Sequence, residues 1–189
     1  RNPYAATKAA ADMLVQAFVN TYGISSCITR CSNNYGPNQF PEKLIPLMTL
    51  NAMKGTSLPI YGDGLQIRDW IYVTDHARGI LDAMNGLFEG KLNKGEVVNF
   101  GAGNELSNID VIQSIIQSTG ADKSLIEYVR DRPGHDRRYA MGFDKAEQGL
   151  GWRPRTEWRE GLTSTIEWYR TNSKWVDSVL SGEYRIAST

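Results

Sequence analysis

LPIYGDGLQIRDWIYVTDHARGILDAMNG, residues 58–86, decides the fold class. Two runs rich in β-branched and aromatic residues, LPIYG (58–62) and QIRDWIYV (66–73), read as strands around the turn residues GDG (62–64). DHARGILDAMNG follows at once as a helix, with Thr74 or Asp75 as its cap. The same alternation runs through the rest of the chain. ISSCITRCS (24–32) is a β-branched strand, NNYGPNQF a turn-rich loop, and Pro41 starts a helix through EKLIPLMTLNAMK that Gly55 ends. EVVNFGAG (96–103) is a strand, and Ser107 with Asp110 makes a capping box for the helix NIDVIQSIIQSTG (108–120). SLIEYV (124–129) and YAMGF (139–143) are strands on either side of the polar loop DRPGHDRR (131–138). Two amphipathic helices, TEWREGLTSTIEWYRTN (156–172) and SKWVDSVLSGEY (173–184), follow. Strands alternating with helices define an α/β fold, with no internal repeat, low-complexity segment or linker.

RNPYAATKAAADMLVQAFVNTYG (1–23) is the strongest single helix signal. Asn2 suits the N-cap, Pro3 the first helical position, and Gly23 the stop. Tyr4 and Lys8 stand one turn apart and so share a face. An ammonium beside a phenol favours the phenolate, which would make Tyr4 a usable general acid or base near neutrality. Two surface residues of an ordinary helix would look the same, and on the pair alone that plainer reading is the stronger. Ala10, Leu14 and Phe18 form a neighbouring apolar stripe, expected to be buried.

Bulk properties exclude several function classes. The 189 residues suffice for one well-buried domain, or one plus part of another, and 41% hydrophobic with 22% charged residues is ordinary globular composition. Net charge is zero, which gives no reason to expect nucleic acid or an anionic membrane surface as partner. An anionic small molecule needs only a local cluster of Arg and Lys. No apolar run approaches the ~20 residues of a membrane span, and the first residues lack the order of a signal peptide. Cys27 and Cys31 lie in one strand, where a four-residue offset is about 13 Å and beyond disulfide reach. Both are expected to be reduced, in a cytoplasmic protein. His76 and His135 are the only histidines, too scattered for a metal site, so no metal is expected. GAGNEL (101–106) is the nearest thing to a glycine-rich phosphate turn, lacks the third glycine, and reads better as a plain turn.

Three polar stretches could carry chemistry. Asn33 and Asn34 directly follow a strand, where α/β proteins bind ligands, although Asn-rich turns are equally routine. Arg68 begins a hydrophobic strand beside Asp69 and is either a salt-bridged edge residue or a guanidinium fork for phosphate. DRPGHDRRYA holds Arg132, His135, Arg137 and Arg138, partly offset by Asp131 and Asp136. A solvated loop would look similar, but two such Arg sites meeting at one place would suit a diphosphate.

Taken together, NPYAATKAAAD, TRCSNNYGPNQFPEKLIPLMTLNA, LPIYGDGLQIRDWIYVTDHARG, NFGAGNE, DRPGHDRRYA, LGWRP and EWYRTNSKWVDSVLSGEY resemble the extended short-chain dehydrogenase/reductase superfamily. Within it the chain resembles the dTDP-glucose 4,6-dehydratase family of NAD-dependent sugar-nucleotide enzymes. The resemblance implies that Tyr4 and Lys8 are the catalytic YxxxK pair, and that Tyr4, Lys8 and Asn34 meet the NAD cofactor. It implies dTDP-sugar contacts at Asn33, Lys43, Leu44, Pro59, Tyr61, Arg68, Asn104, Arg132, His135 and Tyr184. It implies the C-terminal part of a Rossmann-type doubly wound sheet plus a smaller α/β substrate domain. Residues 1–35 would belong to the NAD-binding part, and 36–189 mainly to the sugar-nucleotide domain, with segments returning to the Rossmann sheet. The family's glycine-rich turn and Thr-Asp-Glu catalytic segment lie upstream of these motifs. The chain by itself is therefore expected to be inactive, to bind NAD poorly, and to self-associate through apolar surface on its first helix. The family further implies a cytoplasmic homodimer in deoxysugar biosynthesis of the rhamnose type. An NAD-dependent epimerase or decarboxylase and a non-catalytic nucleotide-sugar-binding fragment are the alternatives.

Overall fold

Short strands and helices alternate along residues 3–182, the residues that the computed structural model describes. In chain order they are α1 (Pro3–Tyr22), β1 (Ile28–Cys31), β2 (Asn33–Tyr35), α2 (Leu44–Lys54), β3 (Leu58–Tyr61), β4 (Ile67–Tyr72) and α3 (Val73–Phe88). Then come β5 (Val97–Phe100), β6 (Glu105–Ser107), α4 (Asn108–Thr119), β7 (Ile126–Val129), β8 (Arg138–Tyr139), α5 (Asp144–Leu150), α6 (Trp158–Thr171) and α7 (Ser173–Ser181). The fold is α/β, as the alternation requires.

Pairing is mostly parallel. β1 runs beside β5 with Ile28 opposite Val97, β2 beside β4 with Asn33 opposite Trp70, and β3 beside β7 with Leu58 opposite Ile126. β4 also takes β6 antiparallel and β8 in parallel, Arg68 standing opposite both Leu106 and Tyr139. The two strands of the 58–86 stretch thus join different sheets. Gly62 and Gly64 both adopt left-handed φ, +63° and +72°, and the turn sends the chain onward instead of back.

β4 is the wall between two cores. Successive strand residues face opposite sides, and the pair Trp70–Ile71 uses this directly. Trp70 packs with Tyr35, Ile45, Met48, Ile112 and Leu162 in a core covered by α2, α4 and α6. Ile71 packs with Ala83, Val98, Phe100, Ala146 and Trp152 in a second core under α3 and α5. Gly161 lets α6 close on the first core, since a Cβ there would run into the Tyr35 hydroxyl. Two buried carboxylates staple the loops. Asp69 accepts from the Ala102 and Asn104 amides at 3.0 and 2.9 Å, so the 101–104 turn has already spent these N–H groups. Asp75 accepts from the Arg155 and Thr156 amides at 3.0 and 2.8 Å and from Arg78 at 2.8 Å.

Several sequence expectations are corrected. α2 begins at Leu44 rather than Pro41, because Pro46 is tolerated only in a first turn, where its missing N–H has no partner to lose. α3 begins at Val73, and Asp75 lies in its first turn, bonded to distant amides instead of capping. Asn33 and Asn34 form a strand rather than a loop. The YAMGF strand is shifted to Arg138–Tyr139, and β6 and α5 were unforeseen. Most tellingly, Leu14 and Phe18 are 61% and 50% exposed, so the Ala10–Leu14–Phe18 stripe is not buried. α1 instead attaches through Asp12, held by Arg30 Nε at 2.9 Å, and Gln16, which donates to the Gly95 carbonyl. The Asn2 cap, Glu183 and Tyr184 fall outside the described residues.

Candidate active site

The first two turns of α1 bring Tyr4 and Lys8 to one face, with the Lys8 ammonium 5.9 Å from the centre of the Tyr4 ring. That face closes a cleft of about 500 Å3 with Arg30 and Cys31 from β1, and with Asp136, Tyr139 and Met141 from the chain around β8. The cleft lies at the carboxyl end of β1, the end at which parallel α/β sheets bind ligands. Tyr139 donates to the Cys31 carbonyl at 3.4 Å, and burial, with Cys31 and Tyr4 close by, holds its hydroxyl above the usual phenol range. Burial likewise pushes the Cys31 thiol up. Tyr139 was missed in the sequence because its loop drew notice for its charges, and the register with Arg68 that carries it to the cleft is tertiary.

Asn34 borders this cleft from behind Cys31. Its Nδ2 donates to Cys31 Sγ at 3.1 Å and to the Ser32 carbonyl at 3.3 Å, while His76 Nδ1 lies 2.9 Å from its Oδ1. Gln39 secures its backbone carbonyl at 2.8 Å. Asn33, one residue earlier on β2, projects from the opposite strand face.

A second group gathers at the start of β4. Pro59 and Tyr61 share the half-buried face of β3, Leu58 and Ile60 facing the core. The Arg132 guanidinium lies 4.1 Å from the centre of the Tyr61 ring, in cation–π contact. Next to it His135 Nδ1 meets Asp131 at 2.7 Å, and Gln66 Nε2 donates to the same carboxylate at 3.1 Å. The His135 bond and the Arg132 amide hold Asp131 below the usual carboxylate range.

The arginines divide cleanly. Arg137 Nη1 donates to both carboxylate oxygens of Asp63 at 2.9 and 2.7 Å, and Arg138 forks onto Glu105 through Nε and Nη2 at 2.6 and 2.7 Å. Arg68 makes no ion pair among the described residues; it donates to its neighbouring Ile67 carbonyl, and burial lowers its affinity for its proton. The salt bridge to Asp69 does not form, because Asp69 is turned to the 101–104 amides. Asn104 is fixed there, its side chain donating to the Trp70 carbonyl at 3.3 Å. Lys43 and Leu44 begin α2, where Lys43 pairs with Glu42, and no hydrogen bond or ion pair among the described residues links them to the other two groups. Tyr184 lies outside the described residues.

A YxxxK pair facing the carboxyl end of a parallel strand, beside a cleft lined by a returning loop, is an arrangement of the short-chain dehydrogenase/reductase type. The chain belongs to the family described as GDP-mannose 4,6 dehydratase, whose model matches residues 1–165. Its relatives include dTDP-glucose 4,6-dehydratase 1 of Escherichia coli K12, 50% identical over 97% of this chain and 52% of the relative. Among solved structures, the dTDP-glucose 4,6-dehydratase of Bacillus anthracis in complex with NAD is 46% identical with a TM-score of 0.86, covering 95% of this chain and 55% of that one. The corresponding enzyme of Streptomyces venezuelae, also with NAD bound, is 44% identical with a TM-score of 0.89, covering 94% and 53%. The chain spans about half the length of the curated relatives it matches.

Proposed function

We propose that this chain provides the substrate-binding side and the YxxxK pair of an NAD-dependent dTDP-glucose 4,6-dehydratase. The observation that carries the reading is the meeting of Tyr4 and Lys8 with Arg30, Cys31 and Tyr139 in one cleft. Its donors suit the nicotinamide–ribose end of NAD: an ammonium and a phenol, with Asn34 ordering the Cys31 wall from behind. Among the described residues the 101–104 turn does not serve the pyrophosphate end, because Asp69 already occupies its Ala102 and Asn104 amides. When bound, NAD supplies a reversible acceptor for the hydride at C4 of the sugar. Tyr4 would take the proton of the C4 hydroxyl, and Lys8 would hold the ribose hydroxyls.

Substrate recognition falls to the second group. Tyr61 and Pro59 offer a flat apolar face for the base, and Arg68, Arg132 and His135 bring donors for the diphosphate. Arg68 suits this best, being desolvated and in no ion pair at contact distance among the described residues, with Asp136 near enough only to offset part of its burial. Asn33, Asn104, Lys43, Leu44 and Tyr184 complete the set by resemblance. The core under α3 and α5 serves the cofactor side, and the core under α2, α4 and α6 the substrate side, β4 joining them. The two free thiols, Cys27 and Cys31, favour a cytoplasmic setting, and the family supports a homodimer in deoxysugar synthesis of the rhamnose type.

The test is incubation of the whole protein that contains these residues with dTDP-glucose and NAD, followed by analysis of the sugar. A 4-keto-6-deoxy product supports the reading. A 4-epimer would make it an epimerase, and binding without turnover a nucleotide-sugar-binding protein.

A further inference from the structure

His76 stands in the first turn of α3, a position made rigid by the bonds of its neighbour Asp75 to the Arg155 and Thr156 amides. Its ring lies 6.2 Å from that of Phe100, and burial lowers its affinity for a proton. Its one hydrogen-bond partner among the described residues is Asn34 Oδ1, at 2.9 Å.

The direction of that bond follows from the surroundings. The Ser32 carbonyl can only accept, so the Asn34 nitrogen must face it, as it also faces Cys31 Sγ. The Asn34 oxygen then faces His76, and an amide oxygen also only accepts. His76 must therefore carry its proton on Nδ1. A flipped Asn34 would set its oxygen against the Ser32 carbonyl oxygen, with no proton between them.

We propose that His76 is a positioning residue that locks the Asn34 carboxamide, and with it the Cys31 wall of the Tyr4–Lys8 cleft, in one orientation. Resting on the reading of Asn34 as a residue of the nicotinamide end, the lock presets the cleft for the cofactor. Without it the carboxamide is held on its nitrogen side alone, by the Ser32 carbonyl and Cys31 Sγ, and more of its order must be supplied at the moment of binding.

Two measurements test this. In the whole protein that contains these residues, long-range proton–nitrogen NMR, with the His76 signals assigned by their loss in His76→Phe, reads the His76 tautomer directly. The Nδ1–H form is expected, shifting toward Nε2–H in Asn34→Ala; an Nε2–H form in the unsubstituted site overturns the lock. In the whole enzyme stripped of cofactor, His76→Phe fills the space without a donor and is expected to weaken NAD binding about 3- to 10-fold, the effect of one lost hydrogen bond. Turnover at saturating NAD should change less. His76→Asn, whose amide can place a donor near Nδ1, should restore most of the affinity. Unchanged NAD affinity in His76→Phe, with the Nδ1–H form present, would reduce the bond to a structural contact and overturn the positioning role. An enzyme indifferent to NAD would instead bring down the cofactor reading, the tautomer still deciding whether the lock exists.

Discussion

Under the proposed function Tyr4 and Arg68 would do different kinds of chemistry, and substitution separates them. Tyr4→Phe in the whole protein removes only the phenolic oxygen, so turnover is expected to fall about 10²–10⁴-fold with nucleotide affinity nearly unchanged. Full activity in that variant would remove Tyr4 from the mechanism. Arg68→Lys keeps the charge and loses the fork, so calorimetry should show weaker nucleotide binding, and Arg68→Ala weaker still, by about 10- to 100-fold. Equal affinity in Arg68→Ala and the parent would make Arg68 structural. Asp75 shows what a residue's own neighbours in sequence conceal. It looks like a helix cap, yet its acceptors serve amides at 155 and 156. Burial pushes its carboxyl up, but these bonds and Arg78 outweigh burial and hold it below the usual range. A carboxylate depressed in the folded state stabilises above its unfolded value, near ~3.9, and loses that contribution as pH falls through the folded value. Asp75→Asn is therefore expected to cost about 1–3 kcal/mol in urea unfolding at pH 7, with the gap to the parent closing below about pH 4. A gap independent of pH would show that the charge does not matter.

Elements were legible where their punctuation is local. The α4 capping box was readable as Ser107 with Asp110 three residues on, and both of its bonds are present. Ser107→Ala should lower stability by about 1 kcal/mol, seen as a lower thermal midpoint, without changing nucleotide affinity. An unchanged midpoint would mean that the helix is held by packing of Ile112, Ile115 and Ile116 alone. Where an element depends on pairing, the sequence said little. β6 and β8 have three and two residues, too short for any periodicity, and exist because β4 offers them edges. The apolar stripe of α1 was visible, but periodicity marks a face without saying what covers it.

At the scale of the whole molecule, that uncovered face becomes a solution property. Leu14 and Phe18 on α1, and Leu81, Met84 and Phe88 on α3, are exposed, and among the described residues β1 pairs with β5 alone. The purified 189-residue chain is expected to self-associate, its mass in solution rising with concentration, and to lack a micromolar NAD site. A strict monomer at high concentration, or tight NAD binding by calorimetry, would contradict this. By itself the sequence determined the α/β class, the Tyr4–Lys8 pair and the set of polar loops, because these follow from spacing along the chain. Tertiary structure alone decided that Arg137 and Arg138 are spent on Asp63 and Glu105 while Arg68 makes no ion pair among the described residues. It also decided that Tyr139 and Asn34 come to the same cleft wall and that His76 stands behind Asn34. Those outcomes depend on partners tens of residues away, brought together by parallel pairing, and no local pattern encodes a distant partner.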